Sequence, residues 1–537
     1  MLVRQASQVN DVAKAIDTHL LWADSRASPN GCLWALPLMR RTVSIGLCCL
    51  LVACTTFTSQ RSGIEKIQYI IVIYAENRSF DHLYGLFPGA DGIAQATAEQ
   101  KTQLDRDDKA LPYLPPVWRQ GTREPDPRFP QQLPNGPFRL DAPPINLPAS
   151  VQIRNLVHRY YQNQEQISDG HNNKFAALSD AGALVMGHYD GSQLPMWKLA
   201  REFVLADHFF MAALGGSYLN HFWLVCACTA YWPDAPANER VELDQRGRLK
   251  ERPGSPASAL DGPPQFFDGD VTPDGYVVNT AQPAYQPSRY APAADGDPRL
   301  ADPAKHPLPP QTIKTVGDTL SAKAVSWVWY AGAWNRAVSD GMQPASVKRS
   351  IIYSNRKGTI SFQPHHHPFN YFARFAPGTA DRERHLKDAE ELFAGIDAGR
   401  LPQVSFYKPY GDLNEHPGYT DVLSGDEHIA SLIERIRRSP LWPTVAIMVT
   451  YDENGGWWDH VPPPRGPGWS DRWGPGTRVP AIVVSPYAKR GYVDKTPYDT
   501  TSIIKFITQR FDLEPLSGVR PNAGDLTNVF DFSQPMR

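Results

Sequence analysis

The stretch IQYIIVIYAENRSFDH, from Ile67 to His82, decides the fold. It contains an unbroken β-branched run, Ile70 to Ile73, that is too short to span a membrane. Such a run bounded by polar residues predicts a strand buried on both faces of a parallel sheet. Glu76 and Asn77 stand at its carboxyl end, where open α/β sheets bind ligands. The alternative is an ordinary helix start, with Asn77 or Ser79 as the N-cap.

A second apolar run ends in the same way. The residues from Val445 to Thr450 predict another buried strand, and Asp452 and Glu453 follow it closely. Carboxylates that converge at one sheet edge repel each other unless they are protonated or bridged by a cation. With Glu76 and Asn77, this pattern of oxygen ligands predicts a divalent metal ion at the edge of the sheet.

A third segment, LGGSYLNH from Leu214 to His221, places a serine at the start of an apolar helix. The N-terminus of a helix favours a bound anion, and Ser217 follows two glycines there. Asn220 lies one turn further on, as does His221, where both could reach a phosphoryl group. The alternative is that Ser217 caps the helix in a common turn. The segment is neither a GxSxG elbow nor a P-loop.

Histidines in loops are further candidates. His171 lies in the polar turn SDGHN, as a ligand, a proton donor or a cap of the next helix. The loop QPHHHPF carries three consecutive histidines, which can supply metal ligands or phosphate donors. Consecutive side chains cannot all face one point, so we expect at most two of the three histidines to take part in the site. We take these two to be His365 and His366. His416 follows the predicted strand Val404 to Tyr407.

Length and composition indicate a large globular chain with a substantial core and long irregular loops. The chain has 537 residues, which is more than one ordinary domain contains. It therefore forms either more than one domain or one large domain with insertions. The net charge of −2 shows no bias toward nucleic acid, so we expect no nucleic-acid binding. Many of the 50 prolines cluster at about 94–150 and 233–310, which we interpret as insertions with little regular structure. Helical patterning is predicted for residues 151–166.

The amino terminus resembles an export signal. A basic Met39-Arg40-Arg41 precedes an apolar segment that ends in Leu51-Val52-Ala53-Cys54, which is similar to the lipobox of bacterial lipoproteins. We therefore expect residues 1–60 to be a signal region with Met39 as the true start. A lipid on Cys54 would give a periplasmic or outer-membrane lipoprotein; the alternative is a secreted protein.

The predicted catalytic domain covers residues 61–520, and residues 521–537 are predicted to be a tail. Cys226 and Cys228 are separated by one residue, and we expect no unstrained bridge between them.

Several motifs together resemble a known family. ENRSFDHLYG, DGHN, GGSYLNH, NEHPGYTDV, GDEHI and YDENGGWWDHVPPP occur in the order seen in the bacterial phosphoesterase family. That family groups non-zinc phospholipases C with acid phosphatases on an alkaline-phosphatase-like α/β fold. The resemblance covers about Ile64 to Leu516, and the GGS and LNH context is similar to the acid phosphatase branch. It implies a core sheet sandwiched by helices, with the Pro-rich insertions forming a cap.

The resemblance also implies roles for the residues. The implied metal ligands are Glu76, Asn77, Asp452 and Glu453, with Ser217 as nucleophile and further ligand; the implied catalytic histidines are His171, His365, His366 and His416; Asn220 and His221 would bind substrate. The implied reaction is metal-dependent hydrolysis of a small phosphate monoester through a phosphoserine, with histidinium donors that suit an acidic optimum. Two alternatives remain: a phospholipase C acting on phosphatidylcholine-type lipids, and a non-enzymatic, metal-stabilised surface lipoprotein.

Overall fold

The computed structural model describes residues 63–354 and 358–534, which form twelve strands and twelve α-helices. The strands are β1 Tyr69–Ala75, β2 Phe138–Arg139, β3 Gly187–His188, β4 Val204–Ala206, β5 Phe209–Phe210, β6 Trp327–Ala331, β7 Leu386–Asp388, β8 Val404–Lys408, β9 Val445–Tyr451, β10 Ala481–Val484, β11 Tyr492–Asp494 and β12 Tyr498–Asp499. The helices are α1 Phe80–Tyr84, α2 Ala98–Lys101, α3 Tyr160–Ile167, α4 Phe175–Leu178, α5 Pro195–Glu202, α6 Ser217–Cys226, α7 Val316–Ala322, α8 Trp334–Gly341, α9 Ala380–His385, α10 Ala389–Asp397, α11 Val422–Arg437 and α12 Thr501–Phe511.

One mixed sheet of eight strands organises the domain, in the order β11-β4-β10-β9-β1-β8-β6-β7. β1 pairs in parallel with both β8 and β9, whereas β10 runs antiparallel to its neighbours. The run Ile70 to Ile73 is fully buried, because β1 lies inside the sheet with other elements over both faces. The predicted α/β class is confirmed.

The register of the parallel strands brings three polar side chains to one edge. Ala75 of β1 lies opposite Tyr451 of β9, so Glu76 and Asp452 emerge side by side. On the other side of β1, β8 ends in Lys408. Because parallel strands end at the same edge, the sheet itself assembles the candidate site.

Helix α11 has the buried stripe that its sequence predicts. Asp421 caps its N-terminus by accepting a hydrogen bond from the Ser424 N–H at 2.8 Å. Its buried apolar residues include Ile429 and Ile433, which lie four positions apart on one face. Among the residues that the structure describes, no helix is long and apolar enough to cross a membrane.

The helix predicted over 151–166 begins only at Tyr160. Residues 151–159 are extended, and the Val157 N–H donates to Asp180 at 2.8 Å instead of closing a helical turn. This extended segment carries His158 toward the carboxyl edge of the sheet, so tertiary contacts override the local helical pattern.

Cys226 and Cys228 form a disulfide, so the expectation that they stay apart is wrong. Ala227 adopts a left-handed conformation, with φ of 47°, at the C-terminus of α6. This turn leaves the two Cα atoms 5.1 Å apart, which is within the usual range for a bridge. Proximity in sequence alone did not reveal this backbone conformation.

The two Pro-rich segments and the C-terminal segment pack against the domain. Turns and short elements dominate residues 94–150 and 233–310, and Leu114 and Val271 within them are fully buried. Near the C-terminus, Phe530 stacks on Phe506 of α12 at 5.3 Å. The predicted signal region, with Met39 and Cys54, lies outside the described residues.

Candidate active site

The hydroxyl of Ser217 lies among three oxygen atoms from the ends of β1 and β9. Its Oγ is 3.2 Å from Glu76 Oε2, and 3.3 Å from both Asn77 Oδ1 and Glu453 Oε1. Gly216 is the N-cap of α6, so Ser217 is the first helical residue and does not cap the helix. The position joins a hydroxyl to the positive end of a helix and to a concentration of acceptor oxygens.

Asp452 ties the two strand ends together through one oxygen and leaves the other without a partner. Its Oδ1 accepts hydrogen bonds from the Asn77 N–H at 3.1 Å and the Glu453 N–H at 2.8 Å. Its Oδ2 is buried without a hydrogen-bond partner. Gly455 permits this close approach, because a Cβ there would lie 2.4 Å from Asn77 O and its φ is 62°.

The carboxylates are destabilised in their charged form. Burial raises the pKa of Glu76 and of Glu453, and the charge of Asp452 adds to both shifts. Burial also raises the pKa of Asp452. Lys408 donates to Glu76 Oε1 and offsets part of this negative charge, while it also donates to Tyr74 O at 2.9 Å. Three carboxylates face one lysine, so the group suits an additional cation.

A divalent metal ion fits these residues. Glu76, His221 and Asp452 offer ligand atoms within 4.8 Å of one another. His221 Nδ1 donates to Ser217 O at 2.7 Å, so its Nε2 carries a lone pair, and this buried atom has no partner. His221 Nε2 lies 3.9 Å from Glu76 Oε1. Unpartnered imidazole nitrogen and carboxylate oxygen atoms are ligands of divalent cations, which agrees with the predicted class of cofactor.

Ser217 opens onto a polar cavity of about 280 Å³. The other lining residues are Gln120, Asn155, Leu156, Val157, His158, Arg159, Asp180, Gly216, Asn279, Thr280 and His365. Three larger cavities, of about 430, 510 and 840 Å³, contain none of the predicted site residues. The cavity beside Ser217 is therefore the one that we assign to a substrate.

The structure brings three of the predicted histidines to the site. His365 lines the cavity, while His366 lies beneath it with its Nδ1 3.4 Å from Glu76 Oε1. His416 Nδ1 donates to Pro417 O at 2.6 Å, so its Nε2 accepts the hydrogen bond from Asn77 Nδ2 at 2.9 Å. His416 thereby orients the Asn77 amide, whose oxygen then points toward Ser217.

Three predictions differ from the structure. His171 is exposed, and no contact in the described part of the chain joins it to the site; the helix that follows has no side-chain cap either. Asn220 is fully buried, and its side chain bonds to Ala213 N and O and to Gly216 O, so it supports the turn before Ser217. His221 is fully buried beside the carboxylates, away from the cavity lining.

Two site residues were missed from the sequence. His158 Nδ1 donates to Leu156 O at 2.6 Å, and its Nε2 lies 3.6 Å from Glu453 Oε1. No periodicity marked it, because it lies in an extended segment between a Pro-rich loop and a helix. Lys408 could have been predicted from the sequence. It is the last residue of the buried strand β8, and polar residues at the ends of β1 and β9 had already been predicted to form the site.

Burial disfavours the charged form of the site histidines, whereas the resemblance implies histidinium donors. Burial lowers the pKa of His158 to about 4 and that of His365 to about 3. Burial also brings the pKa of His366 and of His416 well below the usual value. Each of these imidazoles therefore presents one N–H and one lone pair near neutral pH.

Comparisons with known proteins relate the chain to a family of enzymes. The model of the Phosphoesterase family matches residues 67–514. Phospholipase C A of Mycobacterium tuberculosis is 23% identical to this chain, over 94% of this chain and 82% of the relative. The non-hemolytic phospholipase C of Pseudomonas aeruginosa is 22% identical, over 89% of this chain and 59% of the relative.

Similar solved structures are distant. A protein in the alkaline phosphatase superfamily from Vibrio parahaemolyticus has a TM-score of 0.31 and 9% identity, over 73% of this chain and 72% of that chain. Murine ectonucleotide pyrophosphatase/phosphodiesterase 5 has a TM-score of 0.27 and 10% identity, over 63% of this chain and 94% of that chain. The α/β fold class follows from the eight-stranded sheet described above.

Proposed function

The chain belongs to the phosphoesterase family and is a hydrolase acting on phosphoric esters; on that premise we propose that it hydrolyses small phosphate monoesters with Ser217 as the nucleophile. Family membership favours this over a non-enzymatic surface lipoprotein. The observation that carries the proposal is the position of the Ser217 hydroxyl, which lies at once in the cavity, at a helix start and against the carboxylates.

The residues that would hold the metal are Glu76, Asn77, Asp452 and Glu453, with Ser217 beside them and His221 Nε2 as an added donor. A bound divalent cation supplies charge stabilisation for a serine alkoxide and for the phosphoryl oxygens. This set revises the ligands implied by the sequence by adding His221, whose lone pair would otherwise stay buried and unused.

The protein groups around the cavity define the covalent chemistry. Ser217 Oγ forms a bond to phosphorus while the bond from phosphorus to the leaving oxygen breaks. The serine proton passes to a neighbouring acceptor such as Glu453, and the leaving oxygen takes up a proton from water in the cavity to depart as the alcohol. His158 and His365 line the same cavity and contact the ester from opposite segments of the chain. Water then hydrolyses the phosphoserine and regenerates the hydroxyl.

The test is covalent labelling of the protein. Ser217→Ala should lower the turnover number by on the order of a thousandfold or more and abolish acid-stable labelling from a ³²P-monoester. Ser405→Ala is the matched control, because Ser405 is buried in β8 and its hydroxyl has no partner. Normal turnover by Ser217→Ala, with an unlabelled wild type, would show that water attacks phosphorus directly.

Monoester specificity rests on the size and polarity of the cavity. About 280 Å³ accommodates a phosphoryl group and a small polar alcohol, and nine of its eleven other lining residues listed above are polar or glycine. A second function, phospholipase C activity, is favoured by the names of the relatives. Release of phosphocholine from phosphatidylcholine vesicles at a rate exceeding soluble monoester hydrolysis would support the second function and exclude the first.

We also propose that the protein is exported and anchored through a lipid on Cys54, which lies outside the described residues. The basis is the lipobox-like sequence Leu51-Val52-Ala53-Cys54. Cys54→Ala should release the protein from the membrane fraction or block its processing, and unchanged membrane association would exclude the anchor.

A further inference from the structure

A hydrogen-bonded chain of three side chains leads from the second Pro-rich segment into the active site. Gln282 Nε2 lies 3.0 Å from the Tyr353 hydroxyl, which lies 2.7 Å from His365 Nδ1. The rings of Tyr353 and His365 are stacked, with centroids 5.7 Å apart and an interplanar angle of 18°. Each member comes from a different loop, so the contacts depend on the folded domain.

The direction of each hydrogen bond follows from donor and acceptor chemistry. Gln282 Oε1 accepts the Arg289 N–H at 3.0 Å, so the amide NH₂ must be the group that faces Tyr353. Tyr353 therefore accepts from Gln282. In the described part of the chain, the acceptor in reach of the Tyr353 hydroxyl hydrogen is His365 Nδ1. The reverse direction would leave a partly buried phenol hydrogen without a partner, which is unfavourable.

His365 then differs from the other hydrogen-bonded histidines of the site. The Nδ1 atoms of His158, His221 and His416 donate to the backbone oxygens of Leu156, Ser217 and Pro417. Carbonyl oxygens only accept, so these three imidazoles carry hydrogen on Nδ1 and present a bare Nε2. His365 has the opposite arrangement: it accepts at Nδ1 and carries its hydrogen on Nε2.

We propose that Tyr353, held by Gln282, is a positioning residue that fixes His365 as the Nε2–H tautomer and so makes it the imidazole donor to the bound ester. The inference rests on the proposed function, because it assigns His365 to an oxygen of the ester that Ser217 attacks. His365 lines the cavity with Ser217, whereas Tyr353 does not. Burial keeps His365 neutral, so the tautomer decides whether its cavity face donates or accepts.

Tyr353→Phe tests the proposal, because phenylalanine preserves the stacked ring and removes the hydroxyl. Nitrogen-15 NMR of histidine-labelled protein, with His365→Gln identifying the signal, should show the Nε2–H form in the wild type and a mixture in the variant. We expect kcat to fall by roughly tenfold, the effect typical of losing a group that orients a functional histidine. Gln282→Met should shift the tautomers in the same direction and serves if the first variant does not fold.

Tyr407→Phe is the matched control. The Tyr407 hydroxyl lies 2.7 Å from His428 Nε2, so the variant removes the same kind of bond from a tyrosine-histidine pair that does not line the cavity. It should change the His428 signal and leave kcat unchanged. The proposal is overturned if wild-type His365 carries its hydrogen on Nδ1, or if Tyr353→Phe changes neither the spectrum nor kcat. A tautomer shift in a protein that never labels on Ser217 would instead refute the nucleophile and keep the positioning role.

Discussion

The loops after β1 and β9 build two acidic clusters with opposite properties. The site cluster consists of Glu76, Asp452 and Glu453, which follow the strands directly. The brace cluster consists of Asp81, Asp459 and His460, which come a few residues later in the same two loops. Both clusters are buried. The brace cluster satisfies the geometry of a three-ligand metal group, and Glu76 and Asp452 of the site cluster do so together with His221. The same sequence motif, a strand end followed a few residues later by an Asp-His pair, thus occurs once after β1 and once after β9.

Their hydrogen bonding separates them. In the brace cluster, Arg478 donates to Asp459 Oδ1 at 3.0 Å and to Asp81 Oδ1 at 3.1 Å. His460 Nδ1 donates to Asp81 Oδ2 at 2.6 Å, and Asp459 Oδ2 accepts the Asp81 N–H at 2.9 Å. The site cluster has no arginine and leaves Asp452 Oδ2 unpartnered. A buried acidic cluster is therefore a ligand site only where its atoms are not already satisfied by protein.

The largest effect should come from Asp452→Asn, which removes one carboxylate from the site cluster. We expect stoichiometric metal to be lost on dialysis and kcat to fall by at least about a hundredfold to a thousandfold, as charge stabilisation in the transition state is lost. The metal-free variant should be no less stable than the metal-free wild type, because a carboxylate with a raised pKa has been removed. Metal content and kcat measured together check this.

Asp459→Asn is the control from the brace cluster, and it should retain its metal. If both variants lose metal equally, or if Asp452→Asn keeps full metal and turnover, the distinction between the two clusters is wrong.

An intermediate effect is expected from Arg478→Met, and it should fall on stability instead of metal binding. The Arg478 guanidinium is fully buried and pairs with two aspartates. Removing it leaves two buried carboxylates without their cation, which should lower the free energy of unfolding, measured in urea, by roughly 3–5 kcal/mol. The double variant with Asp459→Asn should recover part of the loss, because one stranded charge is gone. A loss below about 1 kcal/mol would mean that the brace cluster does not hold the loops.

The sequence predicted what the sheet alone determines. Short apolar runs bounded by polar residues are typical of strands buried inside a parallel sheet, and parallel strands end at the same edge, so Glu76 and Asp452 were expected to meet there. Ser217 followed from a glycine pair before an apolar helix. These features depend on the pattern of apolar and polar residues within a short segment, which can be read from one sequence alone.

The remaining features depend on contacts between distant segments. His158 reaches the cavity because Asp180 holds residues 151–159 extended, and no local pattern encodes that contact. His171 and Asn220 lay in motifs of plausible chemistry, but tertiary packing exposes the first and turns the second toward Ala213. The Cys226–Cys228 bridge depends on one left-handed residue.

Glu415 and Asp426 form a third group of buried acidic side chains. In the described part of the chain, this pair belongs to no group of metal-ligating side chains and forms no ion pair. Glu415 and Asp426 are buried behind His416, and Glu415 Oε1 and Asp426 Oδ2 have no hydrogen-bond partner. Neither carboxyl forms an ion pair within 4.0 Å among the described residues. Burial raises the pKa of Asp426 to about 7, and burial with the charge of Asp426 raises that of Glu415. Both shifts favour the protonated, neutral form of the carboxyl groups.

The smallest predicted effect is the pH dependence that this proton creates. The folded-state pKa of Asp426 lies above its unfolded value of about 4, so between about pH 4 and pH 7 the folded protein holds a proton that the unfolded chain has lost. Its contribution to stability is therefore full below pH 4 and is lost as the pH rises toward 7, at up to about 1.4 kcal/mol per pH unit. Asp426→Asn removes this titration while its side-chain oxygen still accepts the Met196 N–H. Urea unfolding from pH 4.5 to 7.5, at fixed metal concentration, should show a shallower decline for the variant than for the wild type. Parallel declines would mean that Asp426 is charged throughout, and that a cation, as in the other two clusters, neutralises it.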